Sequence, residues 1–531
     1  MPLNRSLLLL LALGLTTGCS DRSIGLGGGY SDDDDDYGDY ADDDDFASGD
    51  DDDQAPGDND GDEPPPPEEE DEVFTTEPRG TDVFVFVANP SRDTVSKIHA
   101  VNRTIDTIDV GDEPIQVVVS PDYQRAVTFN AGGDSVSVID VLTDTVTELS
   151  VREDFNFIQM SPDGRWVVAY FNAKVAEASF DIEGVRSFTE VSFVDTWNLR
   201  VESYSVGFNP REVQFSADSR RAVVISDSFL TVCDLSTDPI DLSLVDLGAD
   251  PIDPLVAAEV AVTPAGTFAF VRYNGVNEIQ VVELDTGDLD SLDGGDDPSD
   301  LDLSPDGTEA IVVSRGSQEL RIFDAIAPFG ATPTIIPTPS SSTLGTLNLA
   351  PGGASGLLFT TALLEDRITF WDRASGELTE RGLAKPVDAV AISPDGESAL
   401  IVHTLADVED ADDVFADREA ITVVDLETWL TNPVALESKP TRWTSSNDGR
   451  YALFIMENNR NVGVIDYATR LVDDLLVPSL PVHIGTMPAE SGDEALGWVS
   501  QEHELGRISF VRPFEQAVET VTGFELNSDI D

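Results

Sequence analysis

Residues 157–172 read FIQMSPDGRWVVAYFN, in which Ser161-Pro162-Asp163-Gly164 separates two apolar runs. Proline presets φ for the second position of a type I turn, and glycine supplies the left-handed residue that closes a bulged hairpin. The stretch therefore predicts two antiparallel strands joined by a tight turn.

Variants of this tetrapeptide recur every 41 to 55 residues, which is close to the period of propeller blades. An alternating apolar run precedes each copy, a second run follows it, a third usually ends in Asp, and a weaker fourth comes last. Four strands per period predict one blade of a β-propeller. The copies are Ser120-Pro121-Asp122-Tyr123, Ser161-Pro162-Asp163-Gly164, Ser216-Ala217-Asp218-Ser219, Thr263-Pro264-Ala265-Gly266, Ser304-Pro305-Asp306-Gly307, Ala350-Pro351-Gly352-Gly353, Ser393-Pro394-Asp395-Gly396 and Ser446-Asn447-Asp448-Gly449, with a degenerate copy near Met487.

Residues 84–149 resemble the YVTN-type β-propeller repeat of exported bacterial proteins, with Phe86-Val87-Ala88-Asn89 in place of the family's Tyr-Val-Thr-Asn. The resemblance covers about two repeats and fades afterwards. It implies a propeller fold and says little about activity, because propellers host many unrelated functions.

We therefore predict an all-β protein, a β-propeller of four-stranded antiparallel blades. Nine full repeat units follow a three-strand start at residues 82–110, and the ring is expected to hold seven to ten blades. A first unit without an inner strand favours ring closure by strands from both chain ends, although the last unit is complete.

The N-terminus resembles a bacterial lipoprotein signal. Arg5 precedes an apolar run, and small residues lead to Cys19, which such a signal leaves as a diacylated N-terminus. The alternative is a conventional secretory signal with an incidental cysteine. We expect residues 1–18 to be a signal peptide, 19–79 a lipid-anchored acidic linker and 80–526 the propeller, exported and held at a bacterial membrane, the outer membrane being favoured. The second cysteine, Cys233, lies in an apolar run and is expected to be a buried small hydrophobe.

The charge of the chain limits which partners it can bind. The chain has a formal net charge of −72, and residues 31–72 hold 23 acidic residues and no basic one. Such a tract predicts a disordered, solvated spacer. Nucleic acid is excluded as a partner by this charge, and we expect a monomer. Calcium is the only cofactor considered, but Asp58-Asn59-Asp60-Gly61-Asp62 places its glycine too early for an EF-hand loop.

Propeller geometry divides the loops between two faces, and the resemblance to propellers in general implies that ligands bind on one of them. The turns between second and third strands, and the crossings to the next blade, share the face around the mouth of the central channel. Acidic crossings, and two long insertions at residues 173–190 and 405–419, fall on this face, whereas later crossings carry Lys385, Lys439 and Arg442. The candidate residues for binding a cation or a basic partner are Asp112, Glu113, Asp250, Asp253, Asp296 and Asp297. Solvation in a protein that is acidic throughout is the alternative explanation of these carboxylates.

Signals for catalysis are few. The four histidines, His99, His403, His483 and His503, have no metal-ligand spacing, and no nucleophile-elbow, P-loop or covalent-haem motif is present. We therefore expect a non-catalytic binding or scaffolding module for a protein or small ligand. The alternative is a lactonase-type propeller hydrolase, which needs Arg, His or Glu side chains converging in the channel.

Overall fold

A computed structural model describes residues 79–175, 188–248, 256–339, 344–405, 414–488 and 495–524. The predicted signal peptide, Cys19 and the acidic tract lie outside the described residues. The first strand begins at Arg79, one residue before the expected start of the propeller.

Within these residues, forty strands form ten four-stranded antiparallel sheets, each made of four consecutive strands in chain order. We number these sheets as blades 1 to 10. The first strands of neighbouring blades contact each other, so they form the inner wall of a ring. This confirms the predicted propeller and sets the ring at ten blades.

The strand bounds follow in blade order. The inner strands are Arg79–Gly80, Pro114–Val119, Phe157–Met160, Glu212–Phe215, Glu259–Val262, Pro298–Leu303, Thr346–Leu349, Val387–Ile392, Pro440–Ser445 and Pro481–Met487. The second strands are Phe84–Asn89, Arg125–Asn130, Trp166–Tyr170, Arg221–Ile225, Phe268–Arg272, Glu309–Ser314, Ser355–Phe359, Ser398–His403, Tyr451–Met456 and Leu496–Gln501. The third strands are Thr94–His99, Ser135–Asp140, Glu190–Asp195, Phe229–Asp234, Glu278–Glu283, Glu319–Asp324, Arg367–Asp372, Glu419–Asp425, Asn461–Asp466 and Arg507–Arg512. The outer strands are Ile105–Asp109, Thr145–Ser150, Arg200–Ser205, Asp241–Asp246, Leu289–Asp293, Thr334–Pro337, Glu377–Gly382, Leu430–Leu436, Leu471–Leu476 and Ala517–Thr522. A 3₁₀ turn, Pro90–Arg92, lies between the second and third strands of blade 1.

The core lies between blades rather than inside a single one. Second strands such as Trp166–Tyr170 are buried along their whole length, whereas outer strands such as Leu471–Leu476 are mostly exposed. Phe129 of blade 2 packs in one apolar cluster with Ile158 and Val167 of blade 3. Each blade therefore needs both neighbours to bury its two faces. Cys233 is free and buried in such a cluster, as predicted.

The recurring tetrapeptide joins the inner and second strands, as predicted. Gly164 has φ +73° and Gly307 has φ +67°, and Tyr123 takes the same left-handed conformation with φ 57°. In blade 2 a hydroxyl fastens the turn: Ser120 Oγ donates to Asp122 at 2.6 Å and accepts from the Arg125 amide at 2.9 Å. The turn is therefore a local structure that recurs because each blade needs one.

The start of the ring differs from the sequence prediction. Blade 1 does have an inner strand, the two-residue Arg79–Gly80, which pairs with Val85 and Phe86. The interpretation that strands from both chain ends share a blade is wrong, because the N-terminal side supplies all of blade 1 and the C-terminal side all of blade 10. A two-residue strand is too short to show apolar alternation, which is why the sequence did not reveal it.

Packing closes the ring between blades 10 and 1. Trp498 and Phe510 share one apolar cluster with Val85 and Ile98. Gly80 lies so close to blade 10 that a Cβ there would be 3.1 Å from the indole nitrogen of Trp498, on the second strand of that blade. The seam is therefore built like the other boundaries between blades.

Candidate functional site

On the face predicted to hold ligands, crossings bond to the turns between second and third strands in blades 2 and 6. In blade 2 the amides of Ala131 and Gly132, in the turn between second and third strands, donate to the carbonyls of Glu113 and Asp112 in the preceding crossing. In blade 6 the Gly316 amide donates in the same way to Asp296 O at 2.9 Å. We call this side the channel face, and the side with the other two sets of turns the hairpin face.

The candidate carboxylates lie on the channel face in two separate places. Asp112 and Glu113 are exposed in the crossing into blade 2, and Asp296 and Asp297 occupy the same place before blade 6. Glu113 and Asp297 even share a left-handed conformation, with φ 52° and 49°. Four blades separate the two pairs, so they do not meet in one site. The other candidates, Asp250 and Asp253, lie outside the described residues.

The second pair also stabilises its own loop. Asp297 Oδ2 accepts from Arg315 Nε at 3.0 Å, and Asp296 Oδ1 accepts from Asn277 Nδ2 at 3.1 Å. In the described part of the chain, no group of three or more His, Cys, Asp or Glu side chains could hold a metal ion. Any cation at these crossings therefore binds to paired carboxylates at the surface.

Other carboxylates hold the hairpin face together. Asp195, at the end of a third strand, is fully buried and accepts from Arg165 Nη2 at 2.9 Å and Asn198 Nδ2 at 2.7 Å. Burial opposes ionisation of Asp195, but these hydrogen bonds outweigh it and hold its pKa below the ordinary value. Asp140 accepts from the Leu142 and Thr143 amides in the equivalent turn of blade 2. Part of the chain's acidity is therefore structural.

The inner wall is held by polar side chains that reach from blade to blade. Gln116 Nε2 donates to Ile158 O at 3.0 Å, and Asp300 Oδ2 accepts from the Leu347 amide at 2.6 Å. Asn348 donates to Val390 O at 2.8 Å. These bonds satisfy backbone groups on inner strands, whose channel edge has no strand partner. The sequence signal, which our sequence analysis missed, is a polar residue two or four positions before the turn.

Blade 8 contains a buried basic and polar group on the channel face. Lys385, in the crossing before this blade, is 1% exposed, and its Nζ donates to Arg418 O at 2.6 Å. Glu419 follows Arg418, and one of its carboxylate oxygens is buried without a hydrogen-bond partner. Burial raises the pKa of Glu419 above its ordinary value. Lys439, in the next crossing, is half-buried, and its positive charge acts against burial by lowering the pKa of Glu419.

His403, beside this group, is a core residue. It is fully buried, Nδ1–H donates to Pro386 O at 3.1 Å, and Nε2 accepts from the Thr422 hydroxyl at 2.7 Å. Both ring nitrogens are thereby used in one neutral tautomer. Burial lowers its pKa to about 4. His403 therefore acts as a structural link between crossing and blade.

The boundary of blades 9, 10 and 1 brings basic residues together. Arg442 lies on the inner strand of blade 9, and its Nη1 donates to Nδ1 of His483 on the inner strand of blade 10 at 2.9 Å. Arg79 on the inner strand of blade 1 also acts on the His483 ring. Burial, Arg442 and Arg79 together lower the pKa of His483 to about 3. Of this set, the sequence analysis had singled out Arg442 and His483 individually.

The remaining histidines have local roles. His99 Nδ1 accepts from the Val101 amide at 3.1 Å, and His503 Nδ1 accepts from the Leu505 amide at 3.1 Å. Each stabilises its own turn. His483 and His503, which the sequence placed in the same final unit, thus make separate contacts.

Comparison with known proteins supports the fold. No protein-family model matches the chain, and no curated protein matches it significantly. Among solved structures, a eukaryotic initiation factor is 10% identical with a TM-score of 0.51, over 74% of this chain and 96% of its own. The dihydro-haem d1 dehydrogenase NirN, in complex with DHE, is 19% identical with a TM-score of 0.42, over 68% of this chain and 74% of its own. Apo AztD from Citrobacter koseri is 12% identical with a TM-score of 0.36, over 59% of this chain and 87% of its own.

Fold and site together define a ten-bladed β-propeller with two surface acidic pairs and a basic group on its channel side. At sequence identities this low, the similarity to these solved structures concerns the fold alone. Within the described ranges, no helix has the length and hydropathy needed to cross a bilayer.

Proposed function

We propose that this chain is an exported, membrane-tethered β-propeller that binds a protein or small ligand on its channel face and does not catalyse a reaction. One observation carries the binding role: polar side chains of the channel side hold loops and neighbouring blades in place. Asp297 is bound to Arg315, and His403 has both nitrogens engaged. Preorganised loops lose little conformational entropy when a partner binds, which favours affinity.

The tether is proposed from the N-terminal sequence. The lipoprotein-like signal ending at Cys19 would anchor the chain, and residues 31–72 would act as an acidic spacer between membrane and propeller. The resemblance of residues 84–149 to the YVTN repeat is consistent with export. An outer-membrane anchor is the favoured location.

The anchor has a direct test. In a bacterial host that processes lipoproteins, Cys19→Ala should move the protein from the membrane fraction to the soluble fraction. The matched control is Cys233→Ala, since Cys233 is buried and serves only packing. Membrane retention of the Cys19→Ala variant would refute the anchor without touching the binding role.

Site-specific photocrosslinking on intact cells tests the binding face. A photoreactive amino acid replaces Glu113 or Asp296 on the channel face, or Arg220, whose side chain is 77% exposed on the hairpin face. The proposal expects discrete adducts from the two channel-face positions and none from Arg220. Adducts from Arg220 alone, or equally from all three positions, would contradict a channel-face partner.

One specific observation favours the alternative, a lactonase-type hydrolase: Arg442, His483 and Arg79 converge on the inner wall. A general base works best when its pKa lies near the working pH, and a pKa of about 3 leaves His483 a weak base. We therefore favour binding at this place as well. Saturable hydrolysis of lactones by the purified protein, abolished by His483→Asn, would reverse that preference.

A further inference from the structure

Blade 1 has an unusually short turn on the hairpin face. Three residues, 81–83, join its inner and second strands, whereas five residues, 120–124, do so in blade 2. Thr81 closes the short turn, because its Oγ1 accepts from the Val83 and Phe84 amides at 3.0 and 2.7 Å. The proline-containing turn that recurs along the chain is therefore missing from blade 1.

The recurring turns fill the space between neighbouring blades. A Cβ on Gly164 of blade 3 would lie 2.6 Å from Ser120 of blade 2, and a Cβ on Gly353 of blade 7 would lie 3.1 Å from Pro305 of blade 6. Beside the short turn of blade 1 there are cavities instead. One of about 650 Å³ lies between blades 10 and 1, and one of about 430 Å³ lies between blades 1 and 2.

The larger cavity, which we call the seam cavity, has an apolar floor. Ala100 of blade 1 and Met487 of blade 10 line it, and both are buried members of the apolar cluster that closes the ring. Leu496, which packs against that cluster, and Val101, which is 61% exposed, line it as well. The volume is in the range of small-molecule sites. The seam cavity therefore has both the room and the apolar surface for an alkyl chain.

Two carboxylates from opposite blades line the seam cavity without a partner. Asp82 of blade 1 and Glu515 of blade 10 are exposed, and within the described residues neither accepts a hydrogen bond nor forms an ion pair. Arg512, which also lines the cavity, pairs with Glu519 at 3.6 Å, and Arg103 pairs with the same carboxylate at 2.7 Å. Two guanidiniums that share one carboxylate leave one positive charge against the two free negative charges. The balance around the cavity is therefore negative.

We propose that the seam cavity binds a small aliphatic amine, with the ammonium group at Asp82 or Glu515 and the alkyl chain on the apolar floor. An ammonium group donates three N–H bonds, and removal of an alkyl chain from water is favourable. The bound amine contacts blades 1 and 10 at once, so it also stabilises ring closure. The site lies on the hairpin face and depends neither on the tether nor on the proposed channel-face partner.

A histidine in the cavity wall makes binding observable. His99 lines the seam cavity, and its Nδ1 accepts from the Val101 and Asn102 amides at 3.1 and 3.4 Å. The chain has only four histidines, so ¹⁵N-histidine labelling gives a simple spectrum of ring nitrogens. Butylamine and butyrate are titrated separately at pH 7.5 and constant ionic strength. We expect a saturable shift of the His99 signals with butylamine and none with butyrate, while the buried His403 does not move.

Chain length tests the apolar floor. In the series from ethylamine to hexylamine, affinity should rise about two- to fourfold for each added methylene, because each one buries further apolar surface. Butylamine should also raise the melting temperature of the propeller, since it binds only where blades 1 and 10 are packed together. Equal affinity along the series would show that the amine does not enter the cavity, and would overturn the proposal.

Variants separate the site from general attraction of cations by a chain of net charge −72. Asp82→Asn combined with Glu515→Gln should weaken butylamine binding about fivefold or more, as expected when partly exposed ion pairs are lost. The matched control is Asp288→Asn combined with Glu397→Gln, which removes the same charges from exposed positions elsewhere on the hairpin face. All four positions are exposed, so each protein should melt normally without ligand. A shift that does not saturate, or equal affinity in the two double variants, would overturn the site.

Discussion

Gln116 holds the edge of a neighbouring blade with both ends of its amide: Nε2 donates to Ile158 O at 3.0 Å, and the Ile158 amide donates to Oε1 at 2.8 Å. Gln214 makes the same pair of contacts with Val260 O and the Val262 amide. A glutamine side chain thus takes the place of a missing strand along the inner wall. The contact stabilises each strand edge and connects neighbouring blades.

Gln116→Leu should destabilise the propeller. The substitution removes two hydrogen bonds and leaves the Ile158 N–H and C=O without their partner, at a cost of about 1–3 kcal/mol. Urea unfolding followed by circular dichroism measures the change. The matched control is Gln124→Leu, whose side chain is exposed on the hairpin face and should change stability by less than about 0.5 kcal/mol. Equal unfolding midpoints for the two variants would show that the edge contact contributes little.

Gly164→Ala and Gly376→Ala should separate backbone strain from packing. The two glycines have nearly the same conformation, with φ +73° and +72°. A Cβ on Gly164 would lie 2.6 Å from Ser120 Cβ in the turn of the preceding blade, whereas a Cβ on Gly376 meets nothing within 4 Å.

Both variants carry the left-handed penalty of about 1–2 kcal/mol, and Gly164→Ala adds an overpacking cost of about 1–3 kcal/mol. Differential scanning calorimetry should therefore give the lower melting temperature for Gly164→Ala. Identical melting temperatures would mean that neighbouring turns do not press on each other.

Stability should fall in mild acid partly because of His403. Its folded pKa of about 4 lies below the ordinary value of 6.5, so the unfolded state takes up the proton first. The stabilisation is complete above pH 6.5 and is lost as the pH falls from 6.5 towards 4. It amounts to roughly 3 kcal/mol, at 1.36 kcal/mol for each pKa unit.

Urea unfolding of the parent and His403→Gln at pH 7.5, 6.5, 5.5 and 4.5 isolates this contribution. The difference in unfolding free energy between the two proteins should shrink across that interval. Parallel curves would assign the acid sensitivity to other groups, such as His483.

Calcium binding remains a prediction that neutralisation can test. Replacing Asp112, Glu113, Asp296 and Asp297 with their amides should weaken calcium binding measured by isothermal titration calorimetry, because carboxylate oxygens are the preferred ligands. Since the two pairs are four blades apart, we expect two weak, independent sites rather than one. Unchanged titration would remove calcium from the proposal. A control variant neutralises four exposed acids of the hairpin face, Asp288, Glu377, Glu397 and Glu427.

Local chemistry made most of the fold predictable. The Ser-Pro-Asp-Gly turns and the alternating runs encode hairpins within a few residues, so the blade, its four strands and its two faces follow from the sequence. The position of each crossing within the repeat was enough to assign the acidic and basic crossings to the channel face. The inner strand Arg79–Gly80 could not, because two residues carry no periodicity.

The tertiary structure decided what lies far apart in the chain. Ring size depends on the angle between packed blades, which no local pattern specifies. The burial of Lys385 and the tautomer of His403 come from the crossing into blade 8, which folds back onto that blade. Arg79 and His483 are about 400 residues apart in the sequence, and they come close only because the tenth blade packs against the first.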